Sequence, residues 1–181
     1  LKNVGLSEAA KRTLGSDLIC PEWFKFSVEC KNYQDSPNYA TIVKKADKTL
    51  NGWLAETIFD SINLNLSPLL IFRTTRKGTH VALPYEPFYK NFYNWGTPHM
   101  LKYGEFVIVG LEYFEQFHKE INECNTTHYD DVIRPWLLES QYVRDLLNEF
   151  AESMSKGKDN KVKAKYEATS ALISQLNEQD Q

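Results

Sequence analysis

Asp17, Glu29 and Lys31 are residues whose types and spacing suit hydrolysis of a phosphodiester. Glu29-Cys30-Lys31 sets an acid and a base two positions apart. They lie in a stretch where Phe24, Phe26, Val28 and Cys30 alternate with Lys25, Ser27, Glu29 and Lys31. That period belongs to a strand with one covered face, so Glu29 and Lys31 project together from the other. Asp17 stands 12 residues before Glu29, just after Gly15. Two carboxylates are what Mg²⁺ usually takes from a protein, and the main-chain carbonyl of Cys30 is a third oxygen beside them. A cation there offsets phosphate charge and lowers the pKa of a bound water. Lys31 then holds or deprotonates that water and offsets charge at the phosphate. An isolated E-x-K is expected about once by chance in a chain of this length. Its place on the polar face of a strand, the acid upstream and the amphipathic helix downstream give it weight. The plain alternative is a surface ion pair contributing about 0–1 kcal/mol.

These residues need elements to hold them. Leu6–Leu14 reads as a short helix, capped by Ser7 and ended by Gly15. Residues 15–24 read as a turn and a short strand interrupted by Pro21. After the E-x-K strand, residues 37–60 form a helix through Tyr39, Ile42, Val43, Ala46, Leu50, Trp53, Leu54 and Ile58, which is expected to cover the apolar side of the strand. Residues 69–73 and 80–83 make a hairpin around the turn 74–79. Residues 84–104 read as an ordered aromatic loop, 106–110 as a last strand, 111–124 as a helix and 125–131 as a break. A strongly amphipathic helix follows over 136–154, then a flexible basic linker over 155–165 and a short helix over 166–177 with Ala168, Leu172 and Leu176 on one face. This is an α/β or α+β domain with a central sheet. Residues 1–135 form its core and 136–181 a C-terminal helical extension.

The chain has 181 residues, 21 Lys plus Arg, 24 Asp plus Glu and a net charge of −3. A blanket polycation is excluded, so a nucleic-acid surface must be a local patch. Arg73, Arg76 and Lys77 at the hairpin tip are candidates for phosphate contact, as is the Lys44, Lys45, Lys48 strip. Cys20, Cys30 and Cys124 form no C-x-x-C pair, which argues against a zinc site or a disulfide framework. Cys30 is expected on the apolar side of its strand as inert packing. No apolar run approaches the roughly 20 residues of a membrane span, and no signal-peptide pattern opens the sequence. A reducing, cytoplasmic setting is the expectation.

GSD…FSVECKN resembles the signature of the PD-(D/E)XK nuclease superfamily, with Asp17, Glu29 and Lys31 in its three core positions. The wider pattern, SVECKN, then a helix, then PLLIFRTTRKGTHVALP, is similar to phage and prokaryotic Holliday-junction-resolvase-like members. The resemblance covers roughly residues 6–110. It implies a restriction-endonuclease-like αβββαβ core with a mixed sheet, dependence on Mg²⁺ or Mn²⁺, endonuclease action on DNA, including branched or junction DNA, and a homodimer in a prokaryotic or phage-infected cell. Ser16 rather than Pro precedes Asp17. Members often carry a further acid on the first helix, and Glu8 is the acid that precedes Asp17 here. Gln34 falls where related nucleases place a polar residue near the site. Two other readings stand beside the nuclease. One is a non-catalytic nucleic-acid-binding or scaffold protein that keeps the fold. The other is an assembly partner acting through the Tyr142–Met154 stripe.

Overall fold

The computed structural model describes residues 17, 18, 20–33, 47–74, 78–86, 88, 91, 94, 99–155 and 160–178. The expected first helix with Glu8, and the candidates Gln34, Lys44, Lys45, Arg76 and Lys77, lie outside the described residues.

The described elements are β1 (Phe26–Tyr33), α1 (Lys48–Leu64), β2 (Ser67–Thr74), β3 (Gly78–Pro84), β4 (Met100–Tyr103) and β5 (Phe106–Gly110). After them come α2 (Leu111–His128), a π-helical turn (Tyr129–Ile133), α3 (Arg134–Glu139), α4 (Gln141–Ser155) and α5 (Asn160–Glu178). The strands form one sheet in the order β1-β2-β3-β5-β4. β1 pairs parallel to β2, and the other pairs are antiparallel. A parallel pair needs a crossover, and α1 supplies it. The mixed α+β architecture is the one expected.

Opposed residues share a face of the sheet. Lys31 lies opposite Phe72, and Phe72 opposite His80. Trp53 of α1 packs on Phe72 with ring centroids 6.0 Å apart, and Glu56 of α1 meets Lys31. The crossover helix therefore covers the face that carries Ser27, Glu29 and Lys31, not the apolar side of β1 as expected. A crossover can pack on one face only. The apolar contact that draws α1 there comes from the inner strands, through Leu70, Phe72 and Ala82. Phe26 and Val28 face the other way, toward Phe88 and α2. Phe26, Ser27, Val28 and Glu29 are all buried, so β1 is covered on both faces at its start.

α2 holds that start through side-chain amides. Asn125, fully buried, donates to the carbonyl of Lys25 at 2.9 Å and accepts from Ser67. Asn122 accepts from the Lys25 N–H at 3.1 Å and donates to the Trp23 carbonyl at 2.9 Å. The break expected at 125–131 comes later: α2 runs through His128, which leaves helical geometry at φ −108°, ψ 7°, and the π-helical turn follows from Tyr129. The polar letters before it are consumed by this clamp and by Thr126 and Thr127, which donate to the carbonyls of Asn122 and Glu123. The clamp sits at Lys25, and the cover does not extend along β1 to Cys30, which is exposed. The expectation of an inert, packed Cys30 is corrected accordingly.

α1 starts at an Asp47 cap whose carboxylate accepts from the N–H groups of Thr49 and Leu50. It runs beyond the expected residue 60 to Asn65, which takes the left-handed conformation at φ 55°. Thr57 and Ser61 are absorbed by donating to carbonyls one turn back. Residues 17, 18 and 20–24 form no strand; instead the Asp17 N–H donates to the Val28 carbonyl at 3.0 Å.

Residues 100–103, expected in a loop, are the edge strand β4, too short to show a period. Gly104, at φ 58°, turns the chain into β5 against the Tyr142 ring. The single helix expected over 136–154 breaks at Ser140, which is extended at ψ 127°. The expected linker over 155–165 overlaps α5, and Lys165 finds an acid partner on α1. Thr169, Ile173 and Leu176 of α5 face inward, whereas Ala168 is exposed. Val143, Leu146, Leu147, Ile173 and Leu176 belong to the same apolar cluster as the sheet residues.

Candidate active site

Glu29 and Lys31 leave β1 on the α1 face. Lys31 Nζ lies 2.5 Å from Glu29 Oε1 and 2.7 Å from Glu56 Oε2. The second oxygen of Glu56 receives the ammonium group of Lys165 from α5. Charges therefore alternate Glu29, Lys31, Glu56, Lys165 across the space between β1, α1 and α5. The pair is not the surface ion pair of the plain alternative, since Glu29 is only 8 % exposed.

Burial pushes the Glu29 carboxyl above its ordinary range. Lys31 opposes that, while the charges of Glu56 and Asp17 add to it. Burial works against the Lys31 ammonium, yet Glu29 and Glu56 overcome it and hold the proton far more tightly than usual. Burial also works upward on Glu56, but hydrogen bonds from Lys165 and Lys31 bring it below the usual carboxylate value. Asp60, one turn along α1, is pushed up to about 7 by burial; Lys165 opposes this, and Glu29 and Glu56 reinforce it.

Asp17 approaches from the edge of the sheet. Its Oδ2 accepts from the Cys30 N–H at 2.8 Å, while its own N–H donates to Val28. In a strand the N–H and C=O of one residue point the same way, and alternate residues share that direction. The Cys30 carbonyl therefore faces the Asp17 edge, away from β2. Asp17, the Cys30 carbonyl and Glu29 thus come within one residue of each other along β1. The donors are all oxygens, two of them anionic, which fits a hard divalent cation. Among the described residues no cluster of three His, Cys, Asp or Glu side chains forms a metal site; this donor set has two side chains and a main-chain carbonyl.

Arg73 is exposed at the end of β2, opposite Asn32 and hence on the Cys30 face rather than the Lys31 face. Lys48 is exposed in the first turn of α1.

A family model described as Phage putative PDDEXK endonuclease matches residues 3–134. The chain belongs to this family. No curated protein and no solved structure matches it. Membership in the PDDEXK family places the chain, at a coarse level, among nucleases. The matched span takes in Asp17, Glu29, Lys31 and Glu56 and stops before α4 and α5.

Glu56, Asp60 and Lys165 escape a reading of the sequence alone. The signal for the first two is their place on α1. At 100° per residue both flank the apolar stripe on the Trp53 side, where an acid is expensive without a partner. Lys165 has no such signal, because its partner is 109 positions away.

Proposed function

We propose that the chain is a metal-dependent endonuclease that hydrolyses DNA phosphodiester bonds. The observation that supports this best is the meeting of Asp17, Glu29 and Lys31 around one residue of β1, in a chain of a nuclease family. Asp17, Glu29 and the Cys30 carbonyl would hold Mg²⁺ or Mn²⁺. When bound, the cation supplies charge neutralisation at the phosphate and a more acidic water.

Lys31 acts as a donor rather than a base. Its proton is held by two carboxylates, so it remains a cation at any pH where DNA is handled. It orients the attacking water and offers positive charge to a phosphate oxygen. Glu29 and Glu56 fix its position from two sides. The crowding of Glu29 with Asp17 and Glu56 is a repulsion that a bound cation offsets. Arg73, with Arg76, Lys77, Gln34 and Lys48, would contact the DNA backbone, which positions a duplex without reading its sequence. Glu8 would add a further acid to the cation site. Branched or junction DNA as substrate requires cuts in two strands, which a homodimer with two sites supplies; the setting would be the cytoplasm of a phage-infected cell.

Calorimetric titration with Mn²⁺ tests the reading at its base. The wild-type chain should bind the ion, and Asp17→Asn should bind it about 10- to 100-fold more weakly. No binding heat from a folded wild-type chain would favour a non-catalytic nucleic-acid-binding protein instead.

A further inference from the structure

The family match ends at residue 134, and α5 begins at Asn160. Nevertheless α5 reaches the site. Lys165 puts its ammonium group on Oε1 of Glu56, the carboxylate whose Oε2 holds Lys31 at 2.7 Å. The position of Lys165 is built, not incidental. Its Nζ lies 5.7 Å from the centroid of the Phe150 ring on α4. One turn on, the fully buried Thr169 donates to the Lys165 carbonyl at 2.8 Å. Ile173 and Leu176 then anchor α5 in the core.

The four charges Glu29, Lys31, Glu56 and Lys165 sum to zero. Without Lys165, Glu56 keeps one partner and the site carries a surplus negative charge where a phosphate must arrive. Glu56 would also draw Lys31 more strongly, away from Glu29 and from any water beside it. Glu56 thus needs a second cation if it is to steady Lys31 without capturing it.

We propose that Lys165 is a positioning residue of the nuclease site. It neutralises Glu56 from outside the family segment, leaves Lys31 available to water and phosphate, and makes the C-terminal helices part of the catalytic unit. This inference rests on the nuclease reading above, with Lys165 acting through Glu56 rather than touching substrate.

The test compares the full chain with Lys165→Met, Lys165→Arg, Glu56→Gln and the Lys165→Met/Glu56→Gln double variant. Single-turnover cleavage of duplex DNA in Mg²⁺ is read beside DNA affinity in Ca²⁺. Lysine Nζ resonances by NMR report Lys31 independently of cleavage. Lys165→Met should cut about 10- to 100-fold more slowly, with DNA affinity changed less than about threefold, and Lys165→Arg should restore most of the rate. In the Glu56→Gln background the same substitution should cost little more, since the two act through one contact. The Lys31 Nζ resonance should move in Lys165→Met. A wild-type rate and an unmoved Lys31 resonance in Lys165→Met overturn the inference, as does strict additivity with Glu56→Gln. A moved resonance in a chain that cuts no DNA removes the nuclease reading and keeps the coupling. A Lys165→Met chain that fails to fold hands the decision to Lys165→Gln, where a folded variant that is slow with a moved Lys31 resonance supports the inference, and one with a wild-type rate and an unmoved resonance overturns it.

Discussion

The two sides of β1 are built on different principles. On the α1 face, Glu29 and Lys31 pair with each other in a half-buried chain of alternating charges that Glu56 of α1 and Lys165 of α5 continue. At the outer edge, Asp17 touches the strand through two main-chain hydrogen bonds and is itself exposed. The contrast teaches where rigidity is placed. Lys31 is held by two carboxylates inside the fold, while Asp17 stands at the open edge of the sheet. A second contrast runs along the strand. Its start is clamped by Asn122 and Asn125, and its middle, from Cys30, is uncovered on that face.

The largest effect expected from this contrast is on catalysis. Glu29→Gln removes an anionic oxygen donor and the nearest partner of Lys31 together. Cleavage should fall at least about 1,000-fold with the fold intact by circular dichroism. A variant that keeps most of its rate breaks the link between the α1 face and the chemistry.

Next comes the clamp. Asn125→Ala removes the acceptor of the buried Ser67 hydroxyl and one of two donors to the Lys25 carbonyl, which keeps the Ser67 N–H. It should cost about 2–3 kcal/mol in urea unfolding. A loss within error would show that Asn122 and apolar packing hold the start of β1 without Asn125.

A smaller effect isolates the charge network. The folded state holds the proton of Asp60 up to about 7, against 3.8 ordinarily. A raised acid is stabilised by folding only while protonated, so the contribution of Asp60 to stability should be lost as pH rises from about 4 to 7, while the lowered Glu56 works in the other direction. Asp60→Asn has no such proton to lose. It should be more stable than wild type by about 1–2 kcal/mol at pH 8 and show no such advantage at pH 4, the figure being discounted for residual solvent contact. Equal differences at both pH values would mean that burial does not hold Asp60 neutral.

The smallest effect concerns the far face. Arg73→Ala should weaken DNA binding a few-fold and reduce the salt slope by about one, without changing the rate at saturation. A changed rate at saturation would bring Arg73 to the chemistry despite its face.

Much of the scaffold is legible in the sequence because its signals are local. The alternation of Phe26 to Lys31, the hairpin letters on either side of Gly78 and the short apolar run FVIVG each mark a strand from the residues within it. Signals that depend on distant partners are not legible. The first letters of NTTHYDD look like a break until Ser67 and Lys25 appear as partners for Asn125, and the departure from α-helix comes only at His128. The lysines of 161–165 look like solvated linker until Glu56 appears for Lys165. The face covered by α1 is decided by Phe72 and Leu70, which lie opposite Lys31 and Glu29 on the neighbouring strand but about 40 positions on in sequence. In the candidate site, the residue types and the shared face of Glu29 and Lys31 could be read from β1 alone. The second carboxylate on Lys31 could not, because an acid at the margin of an apolar stripe shows no partner in sequence.

In the proposed nuclease, Lys31 acts as a fixed cation beside the phosphate. Supercoiled plasmid incubated with the wild-type chain and with Lys31→Met, each with Mg²⁺ and with EDTA, tests this directly. Nicking or linearisation by wild type in Mg²⁺ alone, with Lys31→Met folded and at least about 1,000-fold slower, is the predicted result. Equal cleavage by the two proteins, or cleavage that survives EDTA, would contradict it.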